Sequence, residues 1–346
     1  MPSRASGVGF LGGGTATQAI HIPVLATLPD RFKVVSVMSP DPRVATEVAG
    51  RCGAKASTRE QDVMDDPAVE IVAICSPNAI HARQVIAACE AGKKLVFCEK
   101  PLAVTRAEAE EIDRAARASG TPIVVGAMHA YDPAYRAAQA IWAEAEDQAD
   151  FIQAAIFLPD NDVFVNQATD LLLSSRAQGG GMPAYDPGLR RRFMESLILG
   201  LAIHDIPLVR DFYPSVGTVL SSRFIRPFGY SIAMTSRAAQ AELLAVLPGT
   251  WPADWRLRVM GRRHELTASF PPSYVLAGSA RVAISRAQGT MIFEERLSGY
   301  EVMWSHIGDV VQGEAVPQIG LETLLDDFAF AMDLVDSLDT LSEIQE

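Results

Sequence analysis

Val8-Gly9-Phe10-Leu11-Gly12-Gly13-Gly14-Thr15-Ala16-Thr17 is the stretch that decides how this chain is read. A short apolar run enters a glycine turn, and a helix-like segment, Ala16–Thr27, follows at once with His21 and Pro23 inside it. Glycines at a strand-to-helix turn let the backbone approach a ligand closely. The unpaired amides of the helix start, and its dipole, favour negative charge, so this arrangement suits a pyrophosphate. Gly12, Gly14, Thr15 and Ala16 are therefore expected to contact a dinucleotide. Thr17 stands where the fingerprint usually has a third glycine, which predicts a slightly wider strand–helix contact.

Outward from that stretch, short fully apolar runs alternate with amphipathic ones. Val8–Leu11, Val34–Met38, Ile71–Cys75, Leu95–Cys98 and Ile123–Ala127 have the length and composition of strands buried on both faces. Ala16–Thr27, Arg43–Cys52, Ala79–Ala91 and Arg106–Ser119 have helical patterning, the last opened by a Thr105/Glu108 capping box. Regular alternation of strand and helix predicts a parallel sheet with right-handed crossovers. Residues 1–125 thus read as a doubly wound Rossmann domain.

After a helix over Arg136–Glu146 the texture changes. Phe151–Leu158, Thr218–Phe224, Ala239–Leu247, Arg256–Gly261, Leu266–Phe270 and Ala280–Arg286 follow as strands. Two apolar helices are expected, over Leu189–Phe212 and Leu321–Leu338, with a mobile glycine-rich loop at Gln178–Gly188. The fold class is α/β: a Rossmann sheet, then an α+β domain over 126–320 with a large, mostly antiparallel open sheet, and a C-terminal helix, 321–346, packing back. Ala241, Leu243, Ala245 and Leu247 alternate with Glu242 and Leu244, apolar on both sides, so a homodimer or homotetramer through this sheet is expected.

The 346 residues suit two domains, and 49% hydrophobic with 21% charged residues excludes disorder. A net charge of −12 works against nucleic acid and anionic membrane as partners. No apolar run approaches the roughly 18 residues of a membrane span. Met1–Ser6 carries no hydrophobic signal core, and the cytoplasm is the expected location. Cys52, Cys75, Cys89 and Cys98 have no CxxC spacing and read as reduced thiols; no histidine cluster has metal spacing, so no metal is expected.

The end of the second strand bears on the cofactor. In Met38-Ser39-Pro40-Asp41-Pro42-Arg43, Ser39 and Arg43 suit a 2′-phosphate, whereas Asp41 turned toward the ribose would take its free hydroxyls. NADP is the expected cofactor, with NAD left open by Asp41.

Two later motifs complete a pattern: Cys75-Ser76-Pro77-Asn78-Ala79-Ile80-His81, and Gly92 to Leu102, which ends in Glu99-Lys100-Pro101-Leu102. With the glycine turn, in this order across residues 7–105, they resemble the glucose-fructose oxidoreductase and inositol dehydrogenase family. The resemblance continues through Val125–Tyr135 with Asp132, Pro133 and Tyr135 in place, but Met128-His129-Ala130 stands where the family has asparagine and arginines. It implies hydride exchange between a nicotinamide and a carbinol or ketone. It also implies cofactor contacts from Ser76, Asn78, His81, Glu99 and Lys100.

Lys100 closes a parallel strand, where open α/β sheets bind ligands, and its ammonium can hydrogen-bond a substrate oxygen. Glu99 would orient that lysine or the nicotinamide ribose. In the sugar and cyclitol dehydrogenases of the family a helix carries a general acid/base histidine, here His204, with an aspartate four residues earlier; Gly200 fills that place. Asp205 would take part only if the helix turned a mixed face to the cleft. Arg190-Arg191-Arg192 reads as a solvated face or a grip for a substrate phosphate, and Trp251, Trp255 and Trp304 as packing or interface residues. The expected activity is an NAD(P)-dependent oxidoreductase acting on a secondary hydroxyl or keto group of a sugar, cyclitol or related polyol. A nucleotide-linked sugar as substrate, or a cofactor-binding sensor or partner subunit without turnover, are the alternatives.

Overall fold

The computed structural model describes residues 4–173, 190–249 and 252–342. They fall into two compact units. The first is drawn from the described residues of Met1–Gly126, Val165–Met182 and Met303–Phe328, the second from those of Ala127–Phe164, Pro183–Val302 and Ala329–Glu346. This interleaving differs from the three consecutive segments expected: within helix Leu321–Ser342, residues before 329 group with the first unit and later ones with the second. The expected loop Gln178–Gly188, and Trp251, lie outside the described residues.

The first unit is a six-stranded parallel sheet of β1 Ser6–Leu11, β2 Phe32–Met38, β3 Lys55–Ser57, β4 Ile71–Ile74, β5 Leu95–Cys98 and β6 Ile123–Val125, in the order β3-β2-β1-β4-β5-β6. Every residue of β1, β4, β5 and β6 is buried, as expected of strands covered on both faces. The strand order reverses between β1 and β4, and the carboxyl ends of such neighbours are where open α/β sheets bind ligands. Leu11 lies in register with Ile74, so the glycine turn and the Cys75–His81 segment leave the sheet side by side.

Helix Pro42–Cys52 starts on Asp41 as N-cap, with Pro42 in its first turn, and stops at Gly53 with φ +65°. The expected Thr105/Glu108 capping box is present at helix Arg106–Ser119. The helix after β1 opens with a π-helical turn, Thr17–His21, before Ile22–Ala26.

The second unit is an eight-stranded sheet of β7 Ala149–Phe157, β8 Thr218–Phe224, β9 Phe228–Thr235, β10 Gln240–Leu247, β11 Asp254–Gly261, β12 His264–Ser269, β13 Arg281–Arg286 and β14 Gly289–Phe293. Its order is β14-β13-β12-β11-β7-β10-β9-β8, antiparallel except for the β7–β10 pair. Ile232, Leu243, Ala154, Leu257, Ala268 and Val282 stand in register across it and are all buried. That row forms the core face. Helices Pro133–Glu144, Arg190–Gly200 and Ile206–Arg210 pack on the sheet. The opposite face carries Gln153 bonded to Glu242, Arg258 bonded to Glu265, and half-buried Leu244.

The single helix expected over Leu189–Phe212 is corrected: Arg190–Gly200 ends, a 3₁₀ turn Ala202–His204 intervenes, and Ile206–Arg210 starts anew. Leu201 is non-helical at φ −124°, and Pro207, whose ring would collide with the carbonyl four residues back, sits instead in the first turn of the new helix. Helix Gly299–Val311, with strands β3, β9 and β14, was not anticipated from the sequence. Among the described residues no helix is long and apolar enough to cross a membrane.

Candidate functional site

The glycine turn of the first unit is built as its composition demands. Gly12 has φ +111°, and a Cβ there would lie 2.4 Å from the carbonyl oxygen of Cys75, so only glycine fits between the ends of β1 and β4. Gly14 is exposed and a Cβ there would meet nothing within 4 Å, which leaves the space above the helix start open for a ligand. Thr15 and Ala16, half-buried, follow in that first turn. The Thr17 hydroxyl donates to the Gly12 carbonyl at 2.5 Å, so the residue in the third-glycine place ties the turn closed.

At the end of β2, Asp41 does not reach outward: its Oδ1 accepts the backbone N–H of Arg43 and Val44 and caps the helix. Ser39 is buried, its hydroxyl oxygen accepting the Asp41 N–H at 3.3 Å. The Arg43 guanidinium donates to the Leu173 carbonyl. Asn78 is exposed just beyond β4, while the Ser76 hydroxyl donates to Gln84. His81 differs from the expectation of a cofactor contact. It is fully buried, with Nδ1 2.8 Å from the Pro101 carbonyl oxygen and Nε2 2.8 Å from that of Ser76. Both ring nitrogens are committed to backbone, so His81 joins the β4 and β5 loops and leaves no nitrogen for a ligand.

Glu99 and Lys100, both half-buried, close β5. Burial alone would raise the Glu99 carboxyl, but a 2.8 Å hydrogen bond from His21, with the Lys100 charge, holds it below the ordinary glutamate range. Burial pushes the Lys100 ammonium down, with Glu99 opposing. The thiols of Cys75 and Cys98 are pushed well up by burial, in keeping with inert residues.

In the second unit, His204 and Asp205 lie together with two residues that the sequence did not single out for chemistry, His129 and Trp255. The Trp255 indole donates to Asp205 Oδ1 at 2.7 Å, and His129 Nδ1 stands 4.0 Å from the same oxygen. The His204 and His129 rings meet Trp255 edge-on at 5.2 and 4.4 Å, and His129 stacks on Phe270 at 4.1 Å. Burial raises the Asp205 carboxyl to about 7 against the Trp255 bond, and lowers His129 to about 3. The break in the helix makes this possible: in the 3₁₀ turn and the cap that follows it, His204 and Asp205 both reach Trp255. The relation expected between Gly200 and His204, four residues apart on one helical face, does not arise. Of the basic triplet, Arg191 and Arg192 are exposed, Arg191 3.8 Å from Asp336. The signals for the missed residues were the substitution at Met128-His129-Ala130 and a histidine one turn into the glycine-loop helix; neither shows a partner in sequence.

Residues 6–127 match the model of an oxidoreductase family with an NAD-binding Rossmann fold. Inositol 2-dehydrogenase 3 of Saccharopolyspora erythraea is 39% identical over 130 residues, 37% of this chain and 38% of that protein. Levoglucosan dehydrogenase of Pseudarthrobacter phenanthrenivorans is 39% identical over 113 residues, 30% of this chain and 28% of that one. The chain thus spans less than two fifths of the length of these curated relatives. A 3-ketoreductase of Actinomadura kijaniata, solved with NADP, superposes with TM-score 0.72 at 18% identity, covering 95% of this chain and 96% of that one. At that identity the likeness shows the shared fold alone.

Proposed function

We propose that this chain, whose residues 6–127 match the model of an oxidoreductase family with an NAD-binding Rossmann fold and which resembles the glucose-fructose oxidoreductase and inositol dehydrogenase family, transfers hydride between NAD(P) and a secondary hydroxyl or keto carbon of a sugar, cyclitol or related polyol. The observation that carries this reading is the bond from His21 to Glu99: it ties the helix leaving the glycine turn to the strand end that bears Lys100. A phosphate cradle and a half-buried ammonium are thereby held in one rigid frame.

Gly12, Gly14, Thr15 and Ala16 would hold the pyrophosphate, and the nicotinamide, when bound, supplies the site that accepts or gives the hydride. Lys100 would donate a hydrogen bond to the substrate oxygen and stabilise charge that develops on it. His204 would take or return the hydroxyl proton. NADP is the proposed preference: Asp41 is occupied as a helix cap, and Ser39 and Arg43 remain at the end of β2, Arg43 exchanging the Leu173 carbonyl for a 2′-phosphate. A cytoplasmic homo-oligomer formed through the eight-stranded sheet is proposed in addition, supported by the apolar side chains among polar ones on its outer face.

Nicotinamide fluorescence on mixing with the purified protein, followed by a turnover screen over cyclitols, sugars and nucleotide sugars, tests the reading. Cofactor binding with oxidation of a polyol supports it. Binding without turnover across the panel would replace it by a sensor, and turnover confined to nucleotide sugars would move the substrate class.

A further inference from the structure

His21 occupies a place in the first unit that neither the glycine turn nor the lysine explains. It is fully buried, at the end of the π-helical turn, with its ring against Phe10, Phe97 and Trp304. The Trp304 indole donates to its Nδ1 at 3.2 Å. An indole nitrogen can only donate, so Nδ1 is the bare nitrogen and the ring proton sits on Nε2. That N–H points at Glu99 Oε1, 2.8 Å away. The other carboxylate oxygen of Glu99 accepts the backbone N–H of Lys100 at 3.2 Å. Gly126 leaves the carboxylate its room, since a Cβ there would stand 3.2 Å from it. Donors therefore run from Trp304 through His21 to Glu99, whose carboxylate also accepts the backbone N–H of Lys100.

We propose that His21, its tautomer fixed by Trp304, is a positioning residue that holds the Glu99 carboxylate against the Lys100 backbone and so fixes where the Lys100 ammonium stands. This rests on the reading of Lys100 as the group that meets the substrate oxygen. His21 is the last residue of the π-helical turn Thr17–His21. The reach of Trp304 from nearly 300 residues away gives the network its rigidity, because the donor comes from a packed helix rather than from solvent. Ionisable groups around Glu99 are His21, Lys100 and the buried thiols of Cys75 and Cys98.

The test uses the full-length protein and three variants, His21→Leu, His21→Gln and Trp304→Phe. Carbon-13 NMR of the Glu99 carboxyl, in protein without cofactor, reads the network independently of activity. In wild type Glu99 should titrate below the ordinary glutamate range. In His21→Leu its midpoint should rise by about one unit or more, and kcat should fall about tenfold or more while the dissociation constant of the nicotinamide cofactor stays within a few-fold. His21→Gln, whose amide presents an N–H at the Nε2 position, should restore both, and Trp304→Phe should shift them in the same direction by less. An unchanged Glu99 midpoint in His21→Leu, or equal impairment of the leucine and glutamine variants, would overturn the proposal. Should His21→Leu fail to fold, the glutamine and Trp304 variants carry the same titration. If wild type neither binds cofactor nor turns over substrate, the proposed function fails, yet the carboxyl titration still decides the coupling of His21 to Glu99.

Discussion

Gly12 and Gly14 lie two residues apart in the same turn, and the structure predicts that their alanine variants fail for opposite reasons. At Gly12 a methyl would stand 2.4 Å from the Cys75 carbonyl oxygen and 2.6 Å from its carbon, and both are backbone atoms that cannot swing aside. The residue also has φ +111°, outside the regions that an L side chain adopts readily. Left-handed backbone costs roughly 1–2 kcal/mol and overpacking about 1–3 kcal/mol, so Gly12→Ala should lose about 3 kcal/mol. For a unit of this size that corresponds to a melting point lower by roughly 6–12 °C. At Gly14 a methyl meets nothing within 4 Å and φ is not positive, so Gly14→Ala should melt within about 2 °C of wild type. The methyl would, however, fill the space proposed for the pyrophosphate at the helix start, and cofactor affinity should fall by about tenfold or more. Thermal melts by circular dichroism and cofactor titrations by fluorescence separate the two. Wild-type melting of Gly12→Ala, or undiminished cofactor affinity in Gly14→Ala, would refute the account of the cradle.

If Lys100 has the proposed role, in which its ammonium acts on charge that develops in the transition state, Lys100→Ala should lower kcat by about a hundredfold or more with cofactor affinity within a few-fold; near wild-type turnover would remove Lys100 from the site. Asp205 gives a pH signature. Its carboxyl is raised by burial from 3.8 to about 7, so the folded state holds a proton that the unfolded chain releases, and its contribution is complete below pH 3.8 and lost as pH rises toward 7. Asp205→Asn should therefore match wild type near pH 4 and exceed it by up to ~4 kcal/mol above pH 7 in urea unfolding, His129 being neutral throughout; a gap independent of pH would contradict the assignment. Arg43→Ala should weaken NADP by roughly ten- to a hundredfold, about 1.5–3 kcal/mol, and leave NAD unchanged; parallel titrations in which both cofactors respond alike would leave Arg43 as a surface residue.

Much of the first unit was legible because its signals are local. A fully apolar run of four residues is buried wherever it lands, and β5 falls on Leu95–Cys98 as read from sequence. Glycine at position 12 announces a backbone that no other residue tolerates, and the Thr105/Glu108 cap is complete within four residues. Short β3 and β14 escaped because their few residues gain their place from neighbouring strands, not from their own pattern. The sheet of the second unit was foreseen as a type, but its one parallel contact, between β7 and β10, depends on long-range pairing.

By itself, then, the sequence determined the alternation that makes a Rossmann sheet, the turn that can cradle a pyrophosphate, and the lysine at a strand end. Only the tertiary structure decided what those groups face. Asp41 had two directions open to it and took the helix amides, because a carboxylate at an N-cap satisfies donors that would otherwise lack partners. Histidine 81 was absorbed by two backbone carbonyls, while His21 gained Glu99 on one side and Trp304 on the other. A polar side chain entering a packed interior must find hydrogen-bond partners, and which ones it finds depends on strands and helices brought together from distant parts of the chain.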